Sequence, residues 1–486
     1  MLREGVHTCR KRGELTLKSV LVGNGLNIQF GGMAYSSSFI MKRVKFKAKM
    51  DGYDELFNNS LTKEDIIGIL NGFVSISNDI IDNKYDDYVK NEDEKEALLD
   101  YKKRYGKIVA SHEIMLEDWF FILHMFFLKN ADISENIITS KQGFERLILD
   151  AIYNDGDIQN LHTKMNKKVK RFFKDFDNIF TLNYDNNLER LTGKDVFHLH
   201  GDYSILHSSE NPDYVSGYLR EKKKGRVLIN DYEHCFCNAL LDYSGKLKLR
   251  KADLNHRLNI DSEKYRLRYE IDQIWKNDLL SCKSDKPNEY EMIMTKINNP
   301  HLKMAPEYYF DKLRRVEGEL YILGMSPNND NHIFDIINEN QKIKKVYFYY
   351  FSESDRQKIE DSFSPDIYKC KSILKLWSDL ECGHKKYRCN HKIPSDIDGM
   401  IEVFNGMSDD PITKNQIINE VNSIPQFEMD RLCMLVKQDL KSINPDNGST
   451  NEAGFFKTNA SISYIALKEG ILPSSLYMIC VMKWKQ

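Results

Sequence analysis

An apolar run that stops at a glycine-rich turn restricts the fold of this chain more than any other segment. Residues 17–22 read Leu-Lys-Ser-Val-Leu-Val, and the next three are Gly-Asn-Gly. Buried parallel strands end in this way when the backbone passes close to a phosphate, because Gly23 and Gly25 have no Cβ and leave their N–H groups uncovered. Position 28 is Ile where a dinucleotide fingerprint has its third glycine, so the turn by itself also fits an ordinary strand-to-helix connection.

Four further short apolar runs indicate strands. They cover residues 178–183, 196–199, 320–323 and 345–351. The first three continue into Tyr-Asp-Asn-Asn, His-Gly-Asp and Gly-Met-Ser, respectively. In an open parallel sheet, the carboxyl ends of the strands form the edge where ligands bind. The sequence therefore predicts an α/β fold with a Rossmann-like, mostly parallel sheet whose polar strand ends share one edge.

Helical periodicity separates the first predicted strand from the second. Apolar residues recur at helical spacing from about residue 60 to 176. We therefore predict a large helical insertion within a sheet domain that covers residues 1–370. Residues 371–486, with helices near 412–423 and 427–442, are predicted to form a smaller mixed or helical C-terminal domain for assembly or sensing.

The charge balance and the cysteine usage argue against several classes of protein. Lysine and arginine number 70 against 72 acidic residues, so the net charge of −2 implies neither nucleic-acid nor membrane binding. The nine cysteines lack disulfide-like spacing, which fits reduced thiols and a cytoplasmic location. The most apolar window, residues 119–128, is too short to cross a bilayer and predicts a buried helix. The basic segment Lys42–Lys49 predicts a solvated face.

Taken in order, four polar strand ends resemble those of the SIR2-like family, the sirtuin-related Rossmann-type domains that bind NAD. They are most similar to the SIR2-like proteins of bacterial antiphage defence, which hydrolyse NAD, and to related abortive-infection proteins with a Gly-Asn-Gly opening. The likeness extends over roughly residues 18–355, and the helical insertion matches only in kind. The segments that carry it are Gly23-Asn24-Gly25-Leu26-Asn27, Thr181-Leu182-Asn183-Tyr184-Asp185, His200-Gly201-Asp202 and Gly324-Met325-Ser326.

The resemblance implies a role for each matching residue. His200 would be the catalytic histidine, and Asn183 would position the nicotinamide ribose and a water. The other implied contacts to NAD come from Gly23, Asn24, Gly25, Asn27, Tyr35, Asp185, Ser326 and Asp330. Two of these residues depart from the family pattern. Tyr35, which would cover the nicotinamide pocket, stands in a segment where sirtuins have Asp-Phe-Arg. Asp330 lies one residue beyond the position of the family's acid.

The chemistry of NAD cleavage calls for the same residue types. The N-glycosidic bond breaks through an oxocarbenium-like state, which needs a fixed ribose and an activated water. Histidine titrates near neutrality and can take a proton, and asparagine can hold a water or hydroxyl through its donor and acceptor together. We therefore expect an NAD glycohydrolase that releases nicotinamide and ADP-ribose, with NAD+ as its substrate, no cofactor and no metal.

The resemblance further implies a regulated NAD-depleting effector of abortive infection, assembled as a homo-oligomer and triggered by a phage-derived or partner protein. The alternative is a non-enzymatic module that senses NAD or ADP-ribose and regulates a partner effector. Protein deacylation fits less well. The zinc ribbon of deacylase sirtuins needs two Cys-x-x-Cys pairs, whereas residues 200–324 contain only Cys235, Cys237 and Cys282.

Two further groups of residues leave alternatives open. His198 lies two residues before His200, so the period of a strand predicts that both side chains share one face and that His198 supports the site. One later segment combines four residues of zinc-ligand type: Cys382, His384, Cys389 and His391. Their spacing is tight for zinc, and a plain exposed loop is the other interpretation.

Overall fold

A computed structural model of the chain describes residues 16–50, 52–90, 92–108, 113–130, 137–207, 229, 231–241, 245–299, 303, 305–327, 330–383, 413–443 and 452–484. Its strands are β1 (Lys18–Val22), β2 (Asn178–Thr181), β3 (Val196–His198), β4 (Gly318–Leu323), β5 (Ile343–Tyr350) and β6 (Tyr368–Ser372). All six lie in one parallel sheet with the order β3-β2-β1-β4-β5-β6. The predicted α/β fold with a Rossmann-like sheet is confirmed.

The strand order creates a topological switch point between β1 and β4. β1 pairs with β2 on one side and with β4 on the other, so the sheet grows outward in both directions from it. A crevice opens at such a point, outside the carboxyl ends of the strands, and binds ligands in folds of this kind. The register places Val22 opposite both Thr181 and Leu323, and Thr181 opposite His198. The ends of β1 to β4 are therefore level at one edge, as predicted.

The sixth strand was missed by the sequence analysis because it lies at the edge of the sheet. In the described sheet β6 pairs with β5, and both lysines of its Tyr-Lys-Cys-Lys-Ser sequence are exposed. Charged side chains on an edge strand discourage further pairing, and they also interrupt the apolar run that identifies a central strand. β6 extends across the domain boundary predicted at residue 370.

The segment between β1 and β2 is helical, as predicted for residues from about 60 to 176, and the helix Ser37–Ala48 lies before that range. After a short helix at Gly25–Gly31, its helices are Ser37–Ala48, Lys63–Ile81, Glu92–Arg104, Leu116–Lys129, Ile137–Tyr153 and Lys167–Lys174. The apolar window at residues 119–128 belongs to the fourth of these six, and its Trp119, Ile122 and Met125 side chains are fully buried. The insertion is therefore closely packed, and its apolar side chains belong to the same core as Val20 and Val22 of β1.

Two apolar cores cover the two faces of the sheet. Val20 and Val22 face the core shared with the insertion, whereas Leu21 faces the opposite core, because side chains alternate along a strand. The opposite core includes the helices Phe310–Leu313 and Asn331–Glu339. Three helices precede Phe310–Leu313 in the chain: Gly245–Ile271, Gln273–Asp285 and Pro287–Asn298.

The prediction of a solvated face at Lys42–Lys49 is wrong for two of its basic residues. Arg43 and Lys47 are buried in the helix Ser37–Ala48. Lys47 Nζ pairs with Asp150 at 2.7 Å, and Arg43 donates to three backbone carbonyls. Burial of a cation is tolerated when its donors find acceptors. Ala151, Leu467 and Asp150 supply such acceptors from distant parts of the chain, although Arg43 Nε has none among the described residues.

The C-terminal helices form a separate apolar cluster. They are Lys414–Ser423, Gln426–Ile443, Glu452–Glu469 and Pro473–Trp484, and the first two match the predicted positions. Arg43 Nη2 donates to Leu467 O at 2.7 Å and so joins these helices to the insertion. In the described parts of the chain no single helix could span a membrane. Among these residues, only the pair Ser461–Glu469 and Pro473–Lys483 reaches the required length and apolarity together, and the chain bends by 115° between the two segments.

Candidate active site

The two glycines after β1 are required by the close approach of the turn after β4. Gly23 N–H donates to Leu323 O at 2.9 Å, and Gly25 N–H donates to Gly324 O at 2.8 Å. A Cβ at Gly23 would lie 2.6 Å from Gly324 O, and a Cβ at Gly25 would lie 2.5 Å from Gly324 Cα. These two N–H groups therefore already have acceptors, and the predicted phosphate contact of the turn stays a prediction.

Asn27 and Asp185 join the turn after β1 to the turn after β2. Both are buried, and Asn27 Nδ2 donates to Asp185 Oδ2 at 2.8 Å. Asp185 Oδ1 accepts from the backbone and side-chain N–H groups of Asn187 at 3.1 and 2.6 Å. Burial raises the pKa of Asp185, although these hydrogen bonds act to lower it. Asn27 Oδ1 is buried without a hydrogen-bond partner among the described residues.

Asn183 lies between the ends of β1 and β2. Its side chain is buried, and its Nδ2 donates to Gly23 O at 3.3 Å. Its backbone N–H donates to Thr181 Oγ1 at 3.1 Å, which holds the turn as the strand ends. The structure thus brings Asn183 into direct contact with the glycine turn, as the predicted edge requires.

His200 lies two residues beyond β3, at the place that corresponds to Asn183 beyond β2. Its ring is 97% buried and stacks on His332, with ring centroids 5.7 Å apart and an interplanar angle of 18°. His200 Nε2 is buried and has no hydrogen-bond partner among the residues that the structure describes. Burial, together with the charges of Lys248 and His332, holds the pKa of His200 well below its usual range. The imidazole is therefore neutral and keeps a lone pair, but it is a weaker base than the histidine titrating near neutrality that the sequence analysis expects.

The prediction that His198 and His200 share one face is wrong. His198 Nδ1 donates to Asn183 O at 2.8 Å, and His198 Nε2 lies 2.6 Å from Glu189 Oε1, whereas His200 turns toward the opposite core and lies near Phe310. Strand alternation stops where β3 ends, at His198. Burial acts to lower the pKa of His198, but the hydrogen bond and charge of Glu189 outweigh it and raise the pKa.

The turn after His200 is fixed by a second close approach. Gly201 has φ of +90°, and a Cβ there would lie 2.5 Å from Asn238 O. Leu240 N–H donates to His200 O at 2.9 Å. These contacts lead the chain away from the strand direction and set the position of the His200 ring.

Asp330 and His332 complete a cluster with His200 that sequence reasoning recognised only in part. The nearest side-chain ligand atoms of the three residues all lie within 4.8 Å of one another. His332 belongs to the first turn of the helix Asn331–Glu339, and both of its ring nitrogens are buried without a partner in the described structure. Burial and the charge of Lys248 lower the pKa of His332 to about 3. The Asp-x-His spacing before a helix was the signal that could have identified it.

The remaining predicted residues lie at the same edge but in different surroundings. Ser326 follows Gly324 at the switch point and is half-buried. Asn24 Nδ2 donates to Tyr35 O at 2.8 Å, while the Tyr35 ring is buried in the core shared with the insertion. Burial raises the pKa of Tyr35 to about 12, and its hydroxyl accepts from Asn154 at 3.4 Å. The pocket-covering role of Tyr35 stays a prediction.

The predicted zinc group is only partly described. Cys382 Sγ donates to Trp377 O at 3.4 Å. The other three residues, His384, Cys389 and His391, lie outside the described residues, so both interpretations of this segment remain predictions.

Comparisons with known proteins add no family or relative to this description. No protein-family model, no curated protein and no solved structure matches the chain. The resemblance to SIR2-like domains therefore rests on the four strand ends and on the edge that they share.

Proposed function

We propose that this chain is an NAD glycohydrolase that cleaves NAD+ to nicotinamide and ADP-ribose at the carboxyl edge of β1 to β4. The observation that carries the proposal is the level alignment of four polar strand ends across the switch point of a parallel sheet. Some of the residues that the resemblance selects contact one another along this edge, since Asn183 donates to Gly23 and Asn27 donates to Asp185.

The dinucleotide is proposed to lie across the turns after β1 and β4. Ser326 stands beside the glycine turn, and the buried Asn27 Oδ1 is an acceptor suited to a ribose hydroxyl. Asp185, held by Asn27 and Asn187, is oriented toward the same turn. These residues supply binding and orientation, which provide much of the rate acceleration when a reaction needs little covalent help from the protein.

Asn183 and His200 are proposed to act on the nicotinamide ribose. Asn183 orients the ribose and a water, and the neutral His200 accepts the proton as the water oxygen bonds to the anomeric carbon. The C–N bond breaks, and nicotinamide leaves as a neutral molecule with the bonding electron pair. The net reaction consumes one water and releases one proton, so it requires no cofactor.

The biological setting follows from the resemblance. We propose that the protein is a regulated NAD-depleting effector of antiphage abortive infection, acting in the cytoplasm as a homo-oligomer that a phage-derived or partner protein triggers. A continuously active enzyme of this type would exhaust the NAD of its own cell. The C-terminal helices contact the insertion close to the Tyr35 turn and are a suitable place for such control.

A non-enzymatic NAD or ADP-ribose sensor is the second candidate. It is favoured by one observation: the His200 ring is deeply buried against His332 and Phe310. A sensor would need the edge for binding but would not need the imidazole to reach a reacting atom.

One set of measurements separates the two candidates. Purified protein is incubated with NAD+, nicotinamide is measured by chromatography, and binding of NAD+ and ADP-ribose is measured by calorimetry. We expect wild-type protein to release nicotinamide and Asn183→Ala and His200→Ala to lose at least about 100-fold in rate. His256→Gln, which changes a half-buried histidine beside Glu307, is the control and should behave as wild type.

Each outcome has a distinct meaning. The sensor would be favoured if the purified protein binds NAD+ or ADP-ribose without cleaving NAD+. The same absence of cleavage would then be expected in expressing cells, with and without phage infection. Neither binding nor cleavage in any oligomeric form would refute both candidates. Cleavage that survives both alanine substitutions would place the chemistry on other residues.

A further inference from the structure

The His200, Asp330 and His332 cluster has the composition of a transition-metal site. Two imidazoles and one carboxylate place their ligand atoms within 4.8 Å of one another, and the histidines are 97% and 98% buried. His200 comes from the turn after β3, and the other two residues come from the start of the helix that follows β4. The cluster is thus held by two segments that the sheet itself fixes.

Three of the four ring nitrogens of this cluster are unsatisfied. His200 Nε2 and both nitrogens of His332 are buried and have no hydrogen-bond partner among the described residues. A buried polar atom without a partner costs about 1–3 kcal/mol, and folded proteins contain few of them. One nitrogen of each histidine can point at an ion bound beside the Asp330 carboxylate, and such an ion would satisfy His200 Nε2 and one of the two nitrogens of His332.

We propose that His200, Asp330 and His332 bind a divalent transition-metal ion of the zinc class. Neutral imidazole nitrogen and carboxylate oxygen are the ligands that zinc, cobalt and nickel ions accept together, and a site with three protein ligands retains an open position.

Lys248 limits the affinity of this site. It is buried in the helix Gly245–Ile271, and its charge acts on both His200 and His332. An ammonium group close to the ligands repels a cation, although the Asp330 carboxylate opposes this effect. Lys248→Met should therefore tighten metal binding.

A bound metal would regulate the proposed reaction, and this part of the inference rests on the proposed function. The metal takes the lone pair of His200 that accepts the proton in NAD cleavage. Metal binding and NAD cleavage therefore exclude each other, and the ion acts as an inhibitor rather than a cofactor.

A second group of residues of metal-ligand type consists of Asp150, His234 and Cys235. In this group the carboxylate already has hydrogen-bond partners. Asp150 already accepts from Lys47 at 2.7 Å, from Tyr53 at 2.5 Å and from His234 Nε2 at 2.8 Å. A cation there would have to displace the ammonium group of Lys47. This group serves as an internal comparison.

Metal binding is tested first without NAD. Chelator-treated full-length protein is titrated with Co2+, whose visible absorption reports coordination, and with Zn2+ by calorimetry. We expect one ion per chain, and at least about tenfold weaker binding in His332→Phe and Asp330→Asn. His332→Phe keeps an aromatic ring in the buried site, and circular dichroism checks that it folds. His256→Gln and His234→Gln are the controls and should bind as wild type.

The outcomes decide the metal site independently of the enzyme. Absence of stoichiometric binding, or equal binding by His332→Phe, would overturn the proposal, as would loss of binding in His234→Gln alone. In the NAD assay, Zn2+ should inhibit NAD cleavage by the wild-type protein but not by His332→Phe. A chain that binds metal but cleaves no NAD would refute the proposed function and leave the metal site standing.

Discussion

Gly25→Ala is expected to destabilise the fold by about 2–4 kcal/mol, because the added methyl group has no room beside the turn after β4. The new Cβ would lie 2.5 Å from Gly324 Cα. Packed carbon atoms are separated by roughly 3.5–4.0 Å, so the two turns must move apart by about 1 Å. Both atoms belong to or directly extend the backbone, which leaves no flexible side chain to yield.

Two contributions make up this magnitude. Forcing one extra carbon into a well-packed region costs about 1–3 kcal/mol. Separating the turns also weakens the hydrogen bond from Gly25 N–H to Gly324 O, which is 2.8 Å long and contributes about 1 kcal/mol. The expected loss is a loss of folding stability, and it does not depend on any effect of the substitution on ligand binding.

Urea unfolding followed by circular dichroism measures the effect. Gly68→Ala is the matched control, since Gly68 is exposed within the helix Lys63–Ile81 and a Cβ there would meet nothing within 4 Å. It should stabilise the protein by about 0.5–1 kcal/mol. If Gly25→Ala unfolds at the wild-type urea concentration, the close contact between the turns after β1 and β4 is wrong. Loss of NAD binding in a stable Gly25→Ala protein would point to the phosphate role instead.

Two further predictions concern buried charges in the insertion. Arg43→Met should lower the free energy of unfolding by about 3 kcal/mol, because three backbone carbonyls lose their donor. Burial raises the pKa of Asp150, but hydrogen bonds from His234 and Lys47 outweigh it and lower the pKa from 3.8 to about 2. The resulting stabilisation of about 2 kcal/mol is present above pH 3.8 and is lost as the pH falls toward 2.

Urea unfolding also tests these two predictions. Arg43→Lys, which retains the charge but not the fork of donors, should recover only part of the loss, and wild-type stability in Arg43→Met would contradict the buried network. Asp150→Asn should lack the acid-dependent part of the stability that wild type loses as the pH falls from 3.8 toward about 2. An identical pH dependence in the two proteins would show that Asp150 does not carry this effect.

Local patterns predicted where the candidate residues lie along the sheet, to the extent that position along a strand decides this. The glycine turn, Asn183, His200 and Ser326 each follow an apolar run, and parallel strands bring their carboxyl ends to one edge. The direction of the His200 side chain could not be predicted in this way. It depends on where β3 ends and on the turn at Gly201, and this turn packs against Asn238, which lies about 40 positions later.

The sequence by itself determined the α/β class, the central strands and the helical insertion, because strand and helix periodicities are properties of neighbouring residues. Tertiary structure alone decided that His332 joins His200 and Asp330, that Arg43 and Lys47 are buried, and that a lysine-rich segment forms β6. The physical reason is common to all three. The groups that lie beside a buried imidazole, a buried cation or an edge strand come from other parts of the chain, and no local pattern records them.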